Sequence, residues 1–370
     1  MDLVDIHLTK QFPVICIDGG PCSGKTSAMP DIVAWLQDIG RIPRVTHESA
    51  TLFMESGFRP GKDGMSVLDF QRQLLYHNIE KENRIISAAM DLPERKNVVI
   101  LCDRGTMNAQ AYMLPGEFRS LITKENLSLV ELRDKRYDAV IHMRTAALGA
   151  EKYYKNTSIR TGTPEQARER DQRTLDAWIG CPHLYVIDNR TNFKEKVERL
   201  KRVIAHIIGY PEPREMEKKF LISPIQPDQI PVPSQTVQIM QLYLASNENP
   251  GRIRTRSQEC FGSTYFHTKK HGKPGNFIEH ERQISAEEFR VLMQRLDPSR
   301  QAITKARTCF VWNEQYYELD AFDWPHQGLY MLEAEKHYLR QKIYIPPFID
   351  ALEDVSTNPA YLNSNLAKKK

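Results

Sequence analysis

The sequence predicts two domains of different fold class: a doubly wound α/β domain with a parallel sheet, then a domain of antiparallel β-strands. In the first half, short apolar runs alternate with longer helical patterns, which is typical of a parallel sheet covered by helices on both faces. In the second half, about eight β-type segments follow one another without long helices between them, which indicates an antiparallel sandwich or barrel.

The boundary between the two domains is predicted between residues 210 and 211. A helical pattern over 193–208 stops at Gly209, and Pro211 and Pro213 follow it. Glycine commonly ends a helix and proline stiffens a linker. We therefore expect one domain over 1–210 and a second over 211–370.

Composition excludes several classes of protein. The chain has 370 residues, of which 41% are hydrophobic, so two domains can each bury a core. No apolar run reaches the roughly 18 residues that a spanning helix needs, and the charged N-terminal stretch is not a secretory signal, so a cytoplasmic protein is expected. Six cysteines without C-x-x-C spacing predict neither a disulfide framework nor a zinc site. A net charge of +4 requires no nucleic-acid partner.

The feature around which the first domain is organised is a glycine-rich stretch that follows an apolar strand at 14–17. It has the spacing G-x-x-x-x-G-K-[ST] and opens into a helical pattern: Gly19, Gly20, Pro21, Cys22, Ser23, Gly24, Lys25, Thr26 and Ser27. Such a loop directs backbone N–H groups at phosphates, its lysine reaches the outer phosphates, and its threonine hydroxyl binds Mg²⁺. The alternative is a glycine-rich turn between a strand and a helix, which would require the strand, the helix and the Lys-Thr pair to coincide by chance. The sequence therefore predicts a nucleotide site with Lys25 as a catalytic residue.

Acidic residues follow two of the other predicted strands, at 43–48 and 97–103. Ligands gather at the carboxyl ends of parallel strands. Asp103 is therefore expected to hold Mg²⁺ or its waters opposite the loop, and the alternative is an acid that only caps the next helix. Glu48 is expected to act as a general base toward an acceptor hydroxyl or to share the metal's water shell. An ordinary acid near a helix start is an equal alternative for Glu48.

The segment 144–173 is rich in arginine and is interrupted by glycine and proline. This composition is typical of a lid that closes over phosphates, because arginine forks stabilise phosphoryl oxygens. We predict that Arg160, Arg168 and Arg173 contact phosphate, while a solvated helix face is the competing interpretation.

The last strand of the first domain, predicted at 183–188, ends in Asp188 and Asn189. A carboxylate matches the two adjacent donors of guanine, so Asp188 predicts GTP in preference to ATP. The usual N-K-x-D guanine motif is absent, and Asp188 could instead close a turn with Asn189.

The first domain as a whole resembles a known pair of families. The loop GGPCSGKT, the stretch THESATLFMESG, the DRG after the third strand, YDAVIHMRTAA and PHLYVIDNRTNFKEK are similar, in this order, to the P-loop domain of nicotinamide riboside kinases and of the translocation-defect GTP-binding family. The second of these families is named for the trafficking of a photoreceptor TRP-like channel.

Charged residues recur at every second position in the predicted strands of the second half, so they lie on one face of each strand. Basic pairs and acidic pairs are segregated by strand, for example Arg252 with Arg254 and Glu333 with Glu335. These faces could simply be exposed to water. If instead they line a closed barrel, the cost of burying charge requires ion pairs, metal or ligand.

The second domain also resembles a known family. The motif E-x-E-x-K at 215–219, with QLYL, RIR, KAR, YYELD and EAE further along, is similar to the CYTH or triphosphate-tunnel fold of adenylate cyclases, thiamine triphosphatases and inorganic triphosphatases. The resemblance implies a β-barrel. It also implies that metal, Mg²⁺ or Mn²⁺, lies on Glu215, Glu217, Glu333 and Glu335, and that phosphate lies on Lys219, Arg252, Arg254, Lys305 and Arg307.

The order of the two domains resembles that of the translocation-defect family. The resemblance implies a GTP-binding or ATP-binding protein whose second domain binds a phosphorylated small molecule such as a phosphoinositide, with peripheral membrane contact and a role in membrane trafficking. The alternatives are a nucleoside-type kinase, a metal-dependent triphosphate hydrolase and a scaffold without active sites; the sequence gives no protein partner.

Overall fold

A computed structural model describes residues 10–61, 64–155, 162–212, 214–245, 251–258, 262–273, 276–336 and 341–369. Of residues 214, 215, 273 and 276 it describes the backbone alone. The chain divides into two compact units, one ending at Lys201 and the other beginning at Arg202. The predicted boundary at 210 and 211 lies slightly later in the chain. No helix among the described residues has the length and apolar character to span a membrane.

The first unit contains a sheet of five parallel strands in the order β2-β3-β1-β4-β5. Its central strands are buried along their whole length, as expected where helices cover both faces of a sheet. Pro43 lies in β2, an edge strand, where the missing N–H leaves no gap in the ladder. The strands are β1 (Val14–Asp18), β2 (Ile42–Thr46), β3 (Val98–Asp103), β4 (Ala139–Met143) and β5 (Leu184–Ile187).

The helices of the first unit follow the strands in alternation, which confirms the predicted parallel α/β class. The strand β1 leads into α1 directly through the glycine-rich loop. The helices are α1 (Lys25–Asp38), α2 (Ser49–Glu55), α3 (Val67–Met90), α4 (Asn108–Tyr112), α5 (Glu117–Lys124), α6 (Pro164–Trp178) and α7 (Phe193–Ile207), which begins in the first unit and continues past Lys201.

The second unit is built on an antiparallel sheet of ten strands in the order β15-β7-β14-β13-β12-β8-β9-β10-β11-β6. Two short helices accompany it, α8 (Ala286–Met293) and α9 (Asn363–Leu366). The strands are β6 (Arg214–Glu215), β7 (Glu217–Ile222), β8 (Ser234–Tyr243), β9 (Arg252–Gln258), β10 (Gly262–Lys273), β11 (Asn276–Ile284), β12 (Ile303–Trp312), β13 (Gln315–Phe322), β14 (Tyr330–Glu335) and β15 (Ala351–Asp354).

The two faces of the second sheet differ in chemistry. One face of β12, β13 and β14 carries apolar side chains, and Phe310, Tyr317, Leu319 and Leu332 pack there in one buried cluster. On the other face, alternation places charged residues, which are nevertheless buried: Lys305 is 1% exposed, Asp320 0% and Glu333 4%. The same face turns apolar toward one end, where Tyr243, Ile303, Phe322 and Met331 pack with Ala367 near the C-terminus.

Candidate functional sites

The glycine-rich loop lies at the carboxyl end of β1 and is held by two buried carboxylates. The amide of Gly19 donates to Asp18 Oδ1 at 2.7 Å, and that of Gly20 donates to Asp171 Oδ1 at 2.8 Å. A side chain at Gly20 would place its Cβ 2.6 Å from the Cβ of Asp171, so only glycine fits this approach. Gly24 caps α1 with φ of 91°, a left-handed conformation that glycine adopts without strain. The first turn of α1 follows, and its N–H groups have no acceptor within the helix.

Lys25, at the start of α1, is buried against the loop. Its Nζ donates to the carbonyl of Gly19 at 2.9 Å and lies 3.2 Å from Ser23 Oγ. Burial lowers the pKa of Lys25 below its usual value, and the neighbouring Arg104 lowers it further. Thr26 and Ser27, the next two residues of the helix, are exposed.

Asp103, at the end of β3, faces this loop with one oxygen that has no partner. Its Oδ1 is buried and accepts no hydrogen bond from any described residue. Burial is the main cause that raises the pKa of Asp103, and Glu48 and Asp18 add to it, while Lys25 and Arg104 act in the opposite direction. A buried carboxylate oxygen without a donor fits a bound cation or its water, since such a group is otherwise costly to bury.

Arg104 lies directly after Asp103 and was not predicted as a site residue. Its Nε donates to Glu48, and its NH1 lies 3.3 Å from the Gly19 carbonyl and 3.8 Å from Asp18 Oδ1. The backbone of Arg104 has φ of 66°, which is unusual for a residue with a long side chain. This strained conformation turns the guanidinium toward the loop, and it engages the predicted base Glu48 in an ion pair.

Asp171 connects the loop to the end of β4 and was also not predicted. Besides Gly20, it accepts the amide of Thr145 at 3.0 Å, and its oxygens lie 3.2 Å from His142 Nε2 and 3.0 Å from Arg144 NH1. Burial alone would raise the pKa of Asp171, but His142, Arg144 and the Gly20 amide together lower it below the usual value. The carboxylate is therefore kept ionised behind the loop.

The remaining predicted residues of the first unit contact protein groups. Arg168 Nε donates to the Ala147 carbonyl at 2.7 Å, and Arg173 donates to the Met113 carbonyl. Asp188 forms an ion pair with Arg199 at 2.8 Å. Asn189 Nδ2 donates to the carbonyls of Thr145 and Leu148, both at 2.7 Å. The loop residues Pro21 and Cys22 accept hydrogen bonds through their carbonyls from Thr145 and Ala146. Arg160 lies outside the described residues.

In the second unit, the five predicted phosphate-binding cations lie on the charged face, and each one contacts a carboxylate. Lys219 Nζ lies 2.8 Å from Glu217 and 2.7 Å from Glu333. Arg252 NH2 lies 3.0 Å from Glu279, and Arg254 NH2 lies 2.7 Å from Glu281.

The two remaining cations, Lys305 and Arg307, share Asp320. Arg307 binds both oxygens of Asp320, each at 2.7 Å, and its NH2 also lies 2.7 Å from Glu333. Burial would lower the pKa of Arg307, but Asp320, Glu318 and Glu333 raise it well above the ordinary value. Burial lowers the pKa of Lys305 in spite of Asp320. These contacts form a dense network of buried charge.

Two of the predicted metal-binding carboxylates of this unit, Glu217 and Glu333, take part in the same network. Glu333 gives one oxygen to Lys219 and the other to Arg307, and these cations together with Lys305 hold its pKa well below the ordinary value despite burial. Glu335 Oε1 lies 2.6 Å from His206 Nε2, and the side chain of Glu215 lies outside the described part of the structure. Within the described ranges, no group of three or more His, Cys, Asp or Glu residues is arranged to hold a metal ion.

Four acidic partners in this network, Glu279, Glu281, Glu318 and Asp320, were not predicted as site residues. Their period-two spacing in the sequence was a usable signal. It could not indicate which cation each would face, because that depends on strand register.

Comparison with known proteins agrees with the architecture of the first unit. Residues 14–196 match the family described as AAA domain. The first unit is therefore similar to a P-loop-type domain. No curated protein matches the chain significantly.

Over part of its length, the chain is similar to two solved structures whose descriptions name triphosphatase activity. The inorganic triphosphatase NE1496 shares 26% identity over 42% of this chain and 95% of its own, with a TM-score of 0.31. HpAC1 from Hippeastrum, reported with a dominant triphosphatase activity, shares 15% identity over 33% of this chain and 79% of its own, with a TM-score of 0.27.

Proposed function

We propose that the first unit binds a nucleoside triphosphate in the glycine-rich loop, with Lys25 on its outer phosphates and Mg²⁺ on Thr26 and Asp103. The observation that carries this proposal is the buried, unpartnered Oδ1 of Asp103 beside the loop lysine. When bound, Mg²⁺ would neutralise charge on the phosphates. The amides of the first turn of α1 supply the anion-binding end of a helix.

Arg104 and Glu48 would complete this site from the side of β3. The ion pair holds Glu48 next to the phosphate loop, where it is our candidate for the general base if the protein transfers phosphate to an acceptor hydroxyl. For Arg160, Arg168 and Arg173, contact with phosphate remains a prediction. A phosphate contact by Arg168 or Arg173 would require each to exchange its carbonyl partner for the ligand.

The preference for GTP also remains a prediction, as do membership of the translocation-defect family and a role in trafficking. The order of the two units supports the family. Asp188 is a weak basis for guanine selection, because Arg199 and Arg190 already contact its oxygens. Both ATP and GTP should therefore be compared in binding experiments.

For the second unit we propose a closed barrel whose inner face binds a phosphorylated ligand. Two facts support closure. Glu215 pairs with Phe277 of β11, and Glu217 pairs with Glu335 of β14. These two residues are only two positions apart in the chain, so strands from opposite parts of the ladder are brought close together. The charged face is also buried, as it would be inside a barrel.

Phosphate binding in that barrel would depend on Lys219, Arg252, Arg254, Lys305 and Arg307. A phosphorylated small molecule or a phosphoinositide head group has the charge to replace the carboxylates that now hold these cations. The carboxylates as arranged do not fit a resident divalent ion, because both oxygens of Glu333 are engaged by cations. We therefore propose binding, not hydrolysis, as the function of this unit.

The first experiment identifies, by mass spectrometry, any nucleotide carried through purification of the full chain. Calorimetry with ATP and GTP then follows for the wild type and for Lys25→Ala. We expect Lys25→Ala to lose affinity about 100-fold or more, since it removes charge-assisted bonds of roughly 1.5–3 kcal/mol each. Lys124→Ala, on the exposed surface of α5, is the matched control. Unchanged affinity in Lys25→Ala would refute the phosphate-loop assignment.

A further inference from the structure

Lys196, on α7, is a buried lysine that neither the loop motif nor the predicted site includes. It is 3% exposed. Its Nζ lies 3.0 Å from the carbonyl oxygen of Ser23 in the phosphate loop, 2.8 Å from that of Arg144, and 2.6 Å from Asn189 Oδ1. Lys196 thus touches the loop and the end of β4 at the same time.

The three partners of Lys196 are all oxygen acceptors. An ammonium has three N–H donors and can satisfy all of them, whereas a neutral amine has two donors and a lone pair. If Lys196 lost its proton, one of the three oxygens would lose its donor, and a lone pair would face an acceptor. The three oxygen acceptors around Nζ are therefore complementary to the charged form of Lys196 alone.

The orientation of Asn189 is fixed independently of Lys196. Its Nδ2 donates to the carbonyls of Thr145 and Leu148, which turns Oδ1 toward the ammonium. The segment after β4 is hydrogen-bonded to the loop directly, through the Pro21 and Cys22 carbonyls. It is also connected to the loop through two side chains: Asp171, which accepts from Gly20 and Thr145, and Lys196, which donates to Ser23 and Arg144. The connection through Lys196 depends on its ammonium proton.

We propose that Lys196 is a positioning residue that holds the phosphate loop in its binding shape only when it is protonated, so that nucleotide affinity is regulated by pH through this lysine. This proposal rests on the proposed nucleotide binding by the first unit. It adds a regulatory group 173 residues away from Ser23 in the sequence.

The charged groups around Lys196 come from several elements. Burial lowers its pKa to about 7, and Arg199 and Lys25 act in the same direction, while Asp171 and Asp188 favour the ammonium. Phosphates in the loop would be additional anions, so the pKa of Lys196 should rise when nucleotide binds. Binding then takes up a proton. Affinity is greatest below about pH 7 and falls as pH rises, by at most about tenfold per pH unit for one proton.

The test compares nucleotide affinity between pH 6 and 9 in the wild type and in Lys196→Met, whose side chain is apolar and has no donor. We expect the variant to bind about tenfold more weakly than the wild type at pH 6, and the two affinities to converge by pH 9. The nucleotide's own phosphate titrates equally in both proteins, so comparing the two pH profiles removes its contribution. Lys194→Met, exposed on the same helix, is the matched control. Parallel pH profiles in the wild type and Lys196→Met would overturn the proposal.

A second measurement keeps this proposal separate from nucleotide binding itself. Because folding lowers the pKa of Lys196, the unfolded chain holds the proton more tightly above pH 7, and the stability of the wild type should rise with pH between about 7 and 10. In Lys196→Met this rise should be smaller by the contribution of Lys196, whereas Lys25 and Lys305, whose pKa values are also lowered, contribute in both proteins. If Lys196→Met does not fold, NMR titration of the wild-type lysine side chains replaces it: one lysine should titrate near pH 7 and shift upward when ATP is added. A protein that binds no nucleotide but shows this titration refutes the proposed function alone, and the absence of any lysine titrating near pH 7 refutes the role of Lys196.

Discussion

The phosphate loop of the first unit and the charged face of the second unit both contain cationic side chains, but these side chains have different partners in the two sites. Lys25 donates to a backbone carbonyl and a hydroxyl, and no carboxylate among the described residues lies within ion-pair distance of it. On the second sheet, Lys219, Arg252, Arg254, Lys305 and Arg307 each contact at least one carboxylate. In the first site, the lysine therefore has no acidic partner among the described residues, whereas each of the five cations of the second site is already neutralised by a carboxylate.

This difference determines what a ligand has to do. An anion that reaches the loop meets the N–H groups of the first turn of α1 and a lysine that no described carboxylate contacts. An anion that enters the second unit must displace carboxylates from their cations, and a displaced buried carboxylate is costly unless it finds another partner. We therefore expect the first site to bind without rearrangement of ion pairs and the second to bind by exchange of partners.

The largest expected effect is on the stability of the second unit. Asp320→Asn removes the carboxylate that Lys305 and Arg307 share, and leaves buried positive charge without its main partner. Loss of one member of a buried pair costs about 3–5 kcal/mol. Hydrogen exchange of β12 and β13 in the full chain should accelerate accordingly. Asp323→Asn, in the exposed turn that follows β13, should leave the exchange rates unchanged.

The next effect concerns ligand binding in the second unit. Arg252→Ala, Arg254→Ala and Lys305→Ala should each weaken the binding of tripolyphosphate or a phosphoinositide head group by about 10- to 100-fold, because each removes a charge-assisted contact of roughly 1.5–3 kcal/mol. The measurement is a calorimetric titration of the full chain, and the Lys124→Ala variant is its control. If all three variants bind with the affinity of the wild type, the charged face does not bind the phosphorylated ligand.

A smaller effect is expected at Asp103. Asp103→Asn keeps the shape of the side chain but removes the charge that would hold Mg²⁺, so nucleotide affinity in the presence of Mg²⁺ should fall about tenfold, or 1.4 kcal/mol. In EDTA the variant should bind as the wild type does. A loss of the same size with and without Mg²⁺ would show that Asp103 acts on the loop and not on the metal.

The smallest effect separates binding from hydrolysis. Glu217→Gln and Glu335→Gln should change phosphate affinity less than about threefold, or raise it, since each removes a carboxylate that competes with or repels the ligand. Phosphate release from tripolyphosphate in the presence of Mg²⁺ or Mn²⁺ is measured in parallel. Rapid metal-dependent release that disappears in Glu217→Gln would make the second unit an enzyme.

Most strands were predictable because their sequences carry strong local signals. The sequence predicts strands at 303–312 and 315–322, and β12 and β13 have these bounds. The strands predicted at 14–17, 43–48, 97–103, 138–143 and 183–188 differ from β1 to β5 by at most two residues at either end. The elements of the second unit that were not predicted include β15 and α8. The strand β15 is an exposed edge strand without apolar alternation, and α8 is a short helix between strands, marked chiefly by its Ser285 cap.

The glycine-rich loop was predictable as a motif, but its supporting groups were not. Asp171 and Lys196 lie more than a hundred residues from the loop in sequence, and no local pattern distinguishes them from ordinary helix residues. Arg104 belongs to the DRG tripeptide at 103–105, which was recognised in the sequence. Its contact with the loop, however, depends on a left-handed backbone conformation that the sequence does not reveal. Such contacts arise from tertiary packing, which brings α6 and α7 against the end of β4.

The most direct test of the account is a titration of the full chain with Mg²⁺ and ATP or GTP in three proteins: the wild type, Lys25→Ala, and the triple variant Arg252→Ala, Arg254→Ala, Lys305→Ala. The account predicts one nucleotide bound per chain at the loop, lost in Lys25→Ala and retained in the triple variant. Retention of that nucleotide in Lys25→Ala together with its loss in the triple variant would contradict the account, because the nucleotide would then bind to the charged face of the second unit.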